Sequence, residues 1–98
     1  MNKKYFALRL NPSRPDFVQT MNEEEKQVMQ EHSTYWSRYM EQEKVVVFGP
    51  VLDPKGVYGF GILAVDEEQE VIDFIAGDPA NKINSYEYYS MLAVVPEK

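Results

Sequence analysis

The sequence predicts an α+β domain of connectivity βαββαβ, a four-stranded antiparallel sheet with two helices on one face. Three observations carry this expectation. Segments of strand period stand near both ends of the chain, two acidic segments of helical period lie between strands, and Asp53-Pro54-Lys55-Gly56 marks a hairpin tip at the middle. Aspartate first, proline second and glycine fourth suit a type I turn.

The first strand is expected over residues 4–10, with Phe6, Leu8 and Leu10 on one face and Tyr5, Ala7 and Arg9 on the other. Residues 11–18 contain Pro12 and Pro15, so a connecting loop follows, long enough to suggest a functional role. A helix then starts at Thr20 or Asn22, each with a glutamate three residues on (Glu23, Glu25) for a capping box. Its apolar stripe reads Met21, Val28, Met29, Tyr35, Trp36, Tyr39 and Met40, and His32 falls on the same stripe.

The valine-rich run over 44–48 predicts a buried strand that stops at Gly49-Pro50. The third strand spans 57–65 and places Gly59 and Gly61 on one face, where bare backbone weakens a strand unless something packs closely upon it. A second helix over 66–76 uses Val71, Ile72 and Ile75 as its buried stripe and ends at Gly77, with Asp78 and Pro79 beyond. The last strand is expected over 86–95, with Tyr86, Tyr88, Ser90, Leu92 and Val94 on one face. The uncovered face of such a sheet carries Tyr5, Ala7 and other apolar residues, which predicts a homodimer through the open sheet faces.

At 98 residues, 44% apolar, the chain is one domain over 1–98, with enough apolar surface to fold by itself. It has no cysteine, which removes disulfides, thiolate metal sites and thiol nucleophiles. No signal-peptide pattern or membrane-length apolar run is present, and a cytoplasmic protein is expected. The net charge of −6 opposes broad contact with phosphate backbones, so nucleic acid is not an expected partner, and without a membrane-length apolar run neither is a membrane. One histidine without cysteine offers too few ligands for a closed metal site, so no metal is expected. Gly59 and Gly61 lie within a strand rather than in a strand-to-helix turn, and no GxSxG elbow occurs, so neither a dinucleotide cofactor nor a serine nucleophile is indicated.

His32 has two readings: a satisfied core histidine, or a general acid or base at a pocket floor. Asp78 has an ordinary place after a helix-ending glycine and before proline. The topology also brings the first helix beside the exit of the second, and so brings His32 and Asp78 within reach of each other. A carboxylate accepting from one ring nitrogen fixes the tautomer and frees the other nitrogen to move a proton. Arg14 is either a solvated loop arginine or a fork for a substrate carboxylate, and Tyr35 and Trp36 are either core or pocket wall.

Arg14-Pro15-Asp16-Phe17, then Met29, His32, Tyr35 and Trp36, then Gly49-Pro50-Val51, Asp53-Pro54, Gly56 and Gly59, then Asp78-Pro79, and finally Glu87 and Met91 together resemble the YCII-related family over nearly the whole chain. The resemblance implies a ferredoxin-like dimeric α+β barrel, with His32 and Asp78 at the family's active-site pair. Family members often have a glycine where this chain has Glu43 and Lys44, and a proline where it has Ser90. The resemblance also implies cofactor-free lyase or isomerase steps on small organic acids or ring compounds. The leading expectation is thus an enzyme without a cofactor that acts on a small-molecule ligand, with His32 and Asp78 catalytic and Arg14, Tyr35 and Trp36 holding the substrate. The alternative is a non-catalytic ligand-binding or accessory protein of the same fold.

Overall fold

A computed structural model describes residues 3–96. The strands are β1 (Lys4–Asn11), β2 (Val45–Val51), β3 (Tyr58–Val65) and β4 (Ser85–Met91). The helices are α1 (Phe17–Thr20), α2 (Glu23–Glu41) and α3 (Glu68–Gly77), and a 3-10 turn spans Pro79–Lys82. The sheet order is β2-β3-β1-β4 with every pair antiparallel, a ferredoxin-like arrangement.

The register sorts the side chains into two faces. Phe6 lies opposite Leu63 and Ser90, and Leu8 opposite Gly61 and Tyr88, so these residues share the face beneath the helices. On that face Phe6, Leu8, Leu63, Val65, Val71, Phe74 and Trp36 form the buried core. Full burial of each large apolar side chain stabilises the fold by about 1.5–3 kcal/mol, which makes this cluster the main support of the sheet–helix interface. Gly61 is the close approach expected of a strand glycine: an added Cβ would stand 2.3 Å from Trp36 Cζ3. The indole occupies the volume that any larger residue would fill.

The other face is open. Tyr5, Ala7, Arg9 and Asn11 alternate along β1, flanked by Ile62 and Phe60 of β3 and Tyr89 and Met91 of β4. Val47 is 51% exposed and Tyr89 60%. At one end Arg9 lies over the Tyr58 ring, 3.8 Å to its centroid, and donates to Asn11 at 2.8 Å. Asn11 in turn donates to Glu87 at 3.0 Å, so a strand glutamate with no evident partner in the sequence meets polar neighbours on its own sheet.

Local signals explain the element ends. Asn22 is the N-cap of α2 and closes a capping box with Glu25, at 2.8 Å and 3.0 Å in the two directions. The hairpin tip forms as expected: Gly56 N–H donates to the Asp53 carbonyl at 2.9 Å, Lys55 N–H to the Asp53 carboxylate at 2.9 Å, and Gly56 takes φ 152°.

Four boundaries differ from expectation. Part of the loop over 11–18 coils into α1. β2 does not stop at Gly49-Pro50 but pairs on through Val51 opposite Tyr58, because an edge strand tolerates proline where its nitrogen faces away from the neighbour. In α3 the buried stripe is Val71 and Phe74, while Ile72 is 45% exposed and Ile75 half-buried. Phe74 follows Val71 by three residues and packs edge-on to Trp36 at a ring-centroid distance of 4.7 Å, which sets the helix rotation. β4 ends at Met91, with Leu92 and Val94 fully exposed beyond it, because Met91 pairs with Tyr5 and β1 begins one residue earlier. Beyond Met91 the described residues pair with no strand.

After α2 the chain turns through a Schellman motif: Glu43 N–H donates to the Met40 carbonyl at 2.9 Å and Lys44 N–H to the Tyr39 carbonyl at 3.0 Å. Glu43 accordingly takes φ 62°, the left-handed conformation in which glycine alone is unstrained. A left-handed side-chain residue costs about 1–2 kcal/mol and the extra freedom of unfolded glycine recovers part of that. Glu43→Gly should therefore stabilise the protein by about 0.5–1 kcal/mol, read as a rise in the urea midpoint at constant slope. A midpoint that stays put or falls would refute this account of the turn.

Candidate functional site

Asp78 sits at the junction between α3 and the 3-10 turn, only 2% exposed, and is the one charged side chain in the buried set of described residues. The local sequence aims it. Gly77 ends α3 where an added Cβ would come within 2.6 Å of the Tyr35 hydroxyl, and Pro79 starts the 3-10 turn. Asp78 caps that turn by accepting the Ala80 amide at Oδ1, 2.9 Å. This is ordinary turn chemistry, and it leaves the carboxylate pointing toward α2.

Three side chains meet it there. His32 Nδ1 lies 2.8 Å from Oδ2 and 3.1 Å from Oδ1, Trp36 Nε1 donates to Oδ2 at 3.0 Å, and the Tyr86 hydroxyl makes a short bond to the same oxygen. His32 and Trp36 stand one turn apart on α2, so one helix face supplies both. Burial raises the carboxyl pKa of Asp78, but the bonds from His32 and Tyr86, the attraction of an imidazolium and the Ala80 amide together outweigh it. The net direction is below the usual carboxylate value, so Asp78 is ionised at neutral pH. A carboxylate can only accept, hence Nδ1 carries the hydrogen. Burial and the adjacent Asp78 charge push the Tyr86 phenol far up, so it stays a protonated donor.

The other imidazole nitrogen has no hydrogen-bond partner among the described residues, and no buried side-chain nitrogen or oxygen lacks one. Nε2 is therefore open to solvent-accessible space. His32 and Tyr86 border a cavity of about 220 Å³ between the α1–α2 segment and the sheet, whose wall includes Leu10, Phe17, Met21, Met29 and Phe48. For scale, a dry apolar cavity of about 150 Å³ takes up benzene. No lysine, arginine, aspartate or glutamate among the described residues lines it. Asn84 borders it too, but its amide is engaged by Ser13 N–H at 3.1 Å and Met29 sulfur at 3.6 Å.

The structure thus brings His32, Asp78 and Trp36 together and leaves Arg14 and Tyr35 apart from them. Arg14 grips Glu25 with a two-pronged contact at 2.9 Å on each side and gives two further donors to Thr20. This pins α1, which contributes Phe17 and Val18 to the cavity wall. Tyr35 donates to the Phe74 carbonyl at 2.8 Å and packs against Tyr39 and Phe74, outside the cavity. Tyr86 is the participant that sequence reasoning left among the strand residues. Its register opposite Leu10 on the inward face was the available signal. No group of three or more histidine, aspartate or glutamate side chains that could hold a metal occurs among the described residues, and no helix there is long and apolar enough to cross a membrane.

The domain is thus a ferredoxin-like α+β sheet in which a histidine on the wall of an apolar cavity is backed by a buried aspartate. The YCII-related domain matches residues 5–94, and the chain belongs to that family. Comparison with curated proteins gives no match.

The Arg14 contact and the Asn22 amide hold the Glu25 carboxyl down from 4.5 to about 2. A group with a depressed folded-state pKa lends stability that is complete above the unfolded value and is lost as pH falls toward the folded one. Glu25→Gln should therefore be less stable than the parent at pH 7, with the difference closing as pH falls from 4.5 toward 2. Urea melts of both proteins across that range check it, and a gap independent of pH would overturn the ion-pair account.

Proposed function

We propose that this protein is an enzyme that needs no cofactor and moves a proton on a small substrate by elimination or isomerisation, with His32 as the proton carrier. The observation that supports the reading is the polarity of the imidazole: Nδ1 is held by a buried carboxylate at 2.8 Å, Nε2 has no partner among the described residues, and the ring borders the cavity. In the neutral state Nε2 presents a lone pair and takes a proton from the substrate. Asp78 then stabilises the imidazolium, and Nε2 returns the proton to another substrate atom or to the departing group.

Of the two substrate classes implied by the family resemblance, the cavity favours a ring compound over an aliphatic acid. Its wall is apolar and its volume suits one substituted ring. Arg14, the cation expected to meet a carboxylate, is committed to Glu25 and Thr20 instead. Trp36 remains a wall residue for such a ring. A ligand-binding protein without turnover is the second reading, favoured by the four bonds that tie Asp78 into the fold whether or not chemistry occurs.

The test is solvent deuterium exchange into a panel of hydroxylated and carboxylated ring compounds, followed by NMR. The wild-type protein should label at least one of them, and His32→Gln should bind the same compound with its exchange rate reduced about 100-fold or more. Binding with equal labelling in both proteins, or with none in either, rules out the enzyme reading.

The proposal extends to assembly and setting: a homodimer through the open sheet faces, in the cytoplasm. The exposed Val47, Phe60, Tyr89 and Met91 support the pairing, since contiguous apolar surface of this kind marks interfaces. Light scattering on a size-exclusion column should give twice the chain mass at micromolar concentration, and Val47→Glu should halve it. A monomeric wild type would sink the pairing.

A further inference from the structure

The two oxygens of Asp78 are loaded unequally. Oδ1 receives the Ala80 amide at 2.9 Å and the longer His32 contact at 3.1 Å. Oδ2 receives the shorter His32 contact at 2.8 Å, Trp36 Nε1 at 3.0 Å and the Tyr86 hydroxyl. Trp36 Nε1 also lies 3.0 Å from the Tyr86 oxygen, so the indole and phenol act on Oδ2 as a linked pair. The oxygen nearest the imidazole is thus the one from which two further donors draw charge. An acceptor shared among several donors offers less electron density to each, and in a buried, low-dielectric site these effects are large.

We propose that Tyr86 and Trp36 are positioning residues that set how tightly Asp78 holds His32, by drawing charge from the carboxylate oxygen they share with it. The use of this tuning rests on His32 being the proton carrier, whereas the tuning itself requires no substrate. An Asp78 oxygen serving His32 alone would grip the imidazolium harder and slow the return of its proton. Sharing Oδ2 keeps the pair reversible, as a carrier that must both accept and release requires. The titratable groups around the pair are Tyr86 from β4, Tyr35 further along α2 and Tyr58 of β3 across the cavity. Glu25, on the same helix as His32, is held by Arg14.

The chain has one histidine, so its ring resonances are unambiguous. The measurement is the Nδ1 nitrogen shift of His32, correlated with the carbon-bound ring protons, together with the Nδ1 proton where it is observed. Tyr86→Phe removes one donor from Oδ2 and should move both downfield, the direction of a stronger His32–Asp78 bond. 3-Fluorotyrosine placed at position 86, a stronger donor of nearly the same shape, should move them upfield. Trp36→Phe should follow Tyr86→Phe. A general loosening of the site gives no such opposition of sign.

If Tyr86→Phe does not fold, the fluorotyrosine protein decides alone, an upfield shift supporting the inference and an unchanged one overturning it. Resonances unmoved in both proteins, or moved the same way in both, also overturn it. A further control is the double variant Tyr86→Phe, Asp78→Asn, in which the effect of the tyrosine change should vanish relative to Asp78→Asn; persistence would show that Tyr86 acts by another route. Resonances that behave as stated in a protein without proton exchange on any ring compound keep this inference and remove the enzyme reading. The reverse result keeps the enzyme reading and removes this inference.

Discussion

The most demanding feature of this structure is a single buried charge. Taking a carboxylate out of water costs several kcal/mol even after relaxation, and Asp78 is nearly inaccessible. The cost is offset by the amide of Ala80, the imidazole and indole of α2 and the phenol of β4, which reach the carboxylate from separate elements. Each must arrive at its own distance, and so the placement of α2, the exit of α3 and the register of β4 are bound to one another. Loss of any one donor leaves the rest of the carboxylate's burial under-compensated, a far larger penalty than the loss of an exposed ion pair.

The apolar core serves this arrangement as much as it stabilises the sheet. Trp36 is pressed into the gap left by Gly61, stacks near Phe48 at 5.5 Å and meets Phe74 edge-on, which leaves its N–H aimed at Asp78. Ordering a side chain of that size has an entropic cost, and here close packing on three sides covers it, so that the polar end needs little further restraint. The cavity is the space that remains between this packed region and α1, which Arg14 ties to Glu25 of α2. The His32 side of the wall is therefore set by packed elements, while the α1 side depends on the bonds of Arg14 to Glu25 and Thr20.

Much of this was legible in the residues. The connectivity followed from alternation and capping, because Phe6-Leu8-Leu10 and Asn22 with Glu25 encode strand and helix start locally. The nearness of His32 and Asp78 followed from topology. What stayed hidden depends on tertiary partners. Nothing within Ser85–Met91 says that β4 must end where β1 begins, and the rotation of α3 was decided by Trp36 rather than by its own stripe. Arg14 could be read as a ligand fork because its partner, Glu25, also carried a local capping role that accounted for it. Tyr86 was overlooked because an inward tyrosine on a strand is common, and its hydroxyl acquires meaning only beside a carboxylate eight residues earlier in the chain.

The pairing of β4 with β1 has a consequence for how the protein comes into being. Strand β1 is made well before β4, and Tyr86 rides on β4. A chain still emerging from the ribosome already contains the helix with His32 and Trp36, yet the carboxylate meant for them follows more than forty residues later, and its final donor later still. All four donors to Asp78 therefore come together only once Tyr86 has been made. The complete site requires β4 in place beside β1, and a chain cut before Tyr86 lacks one of its donors.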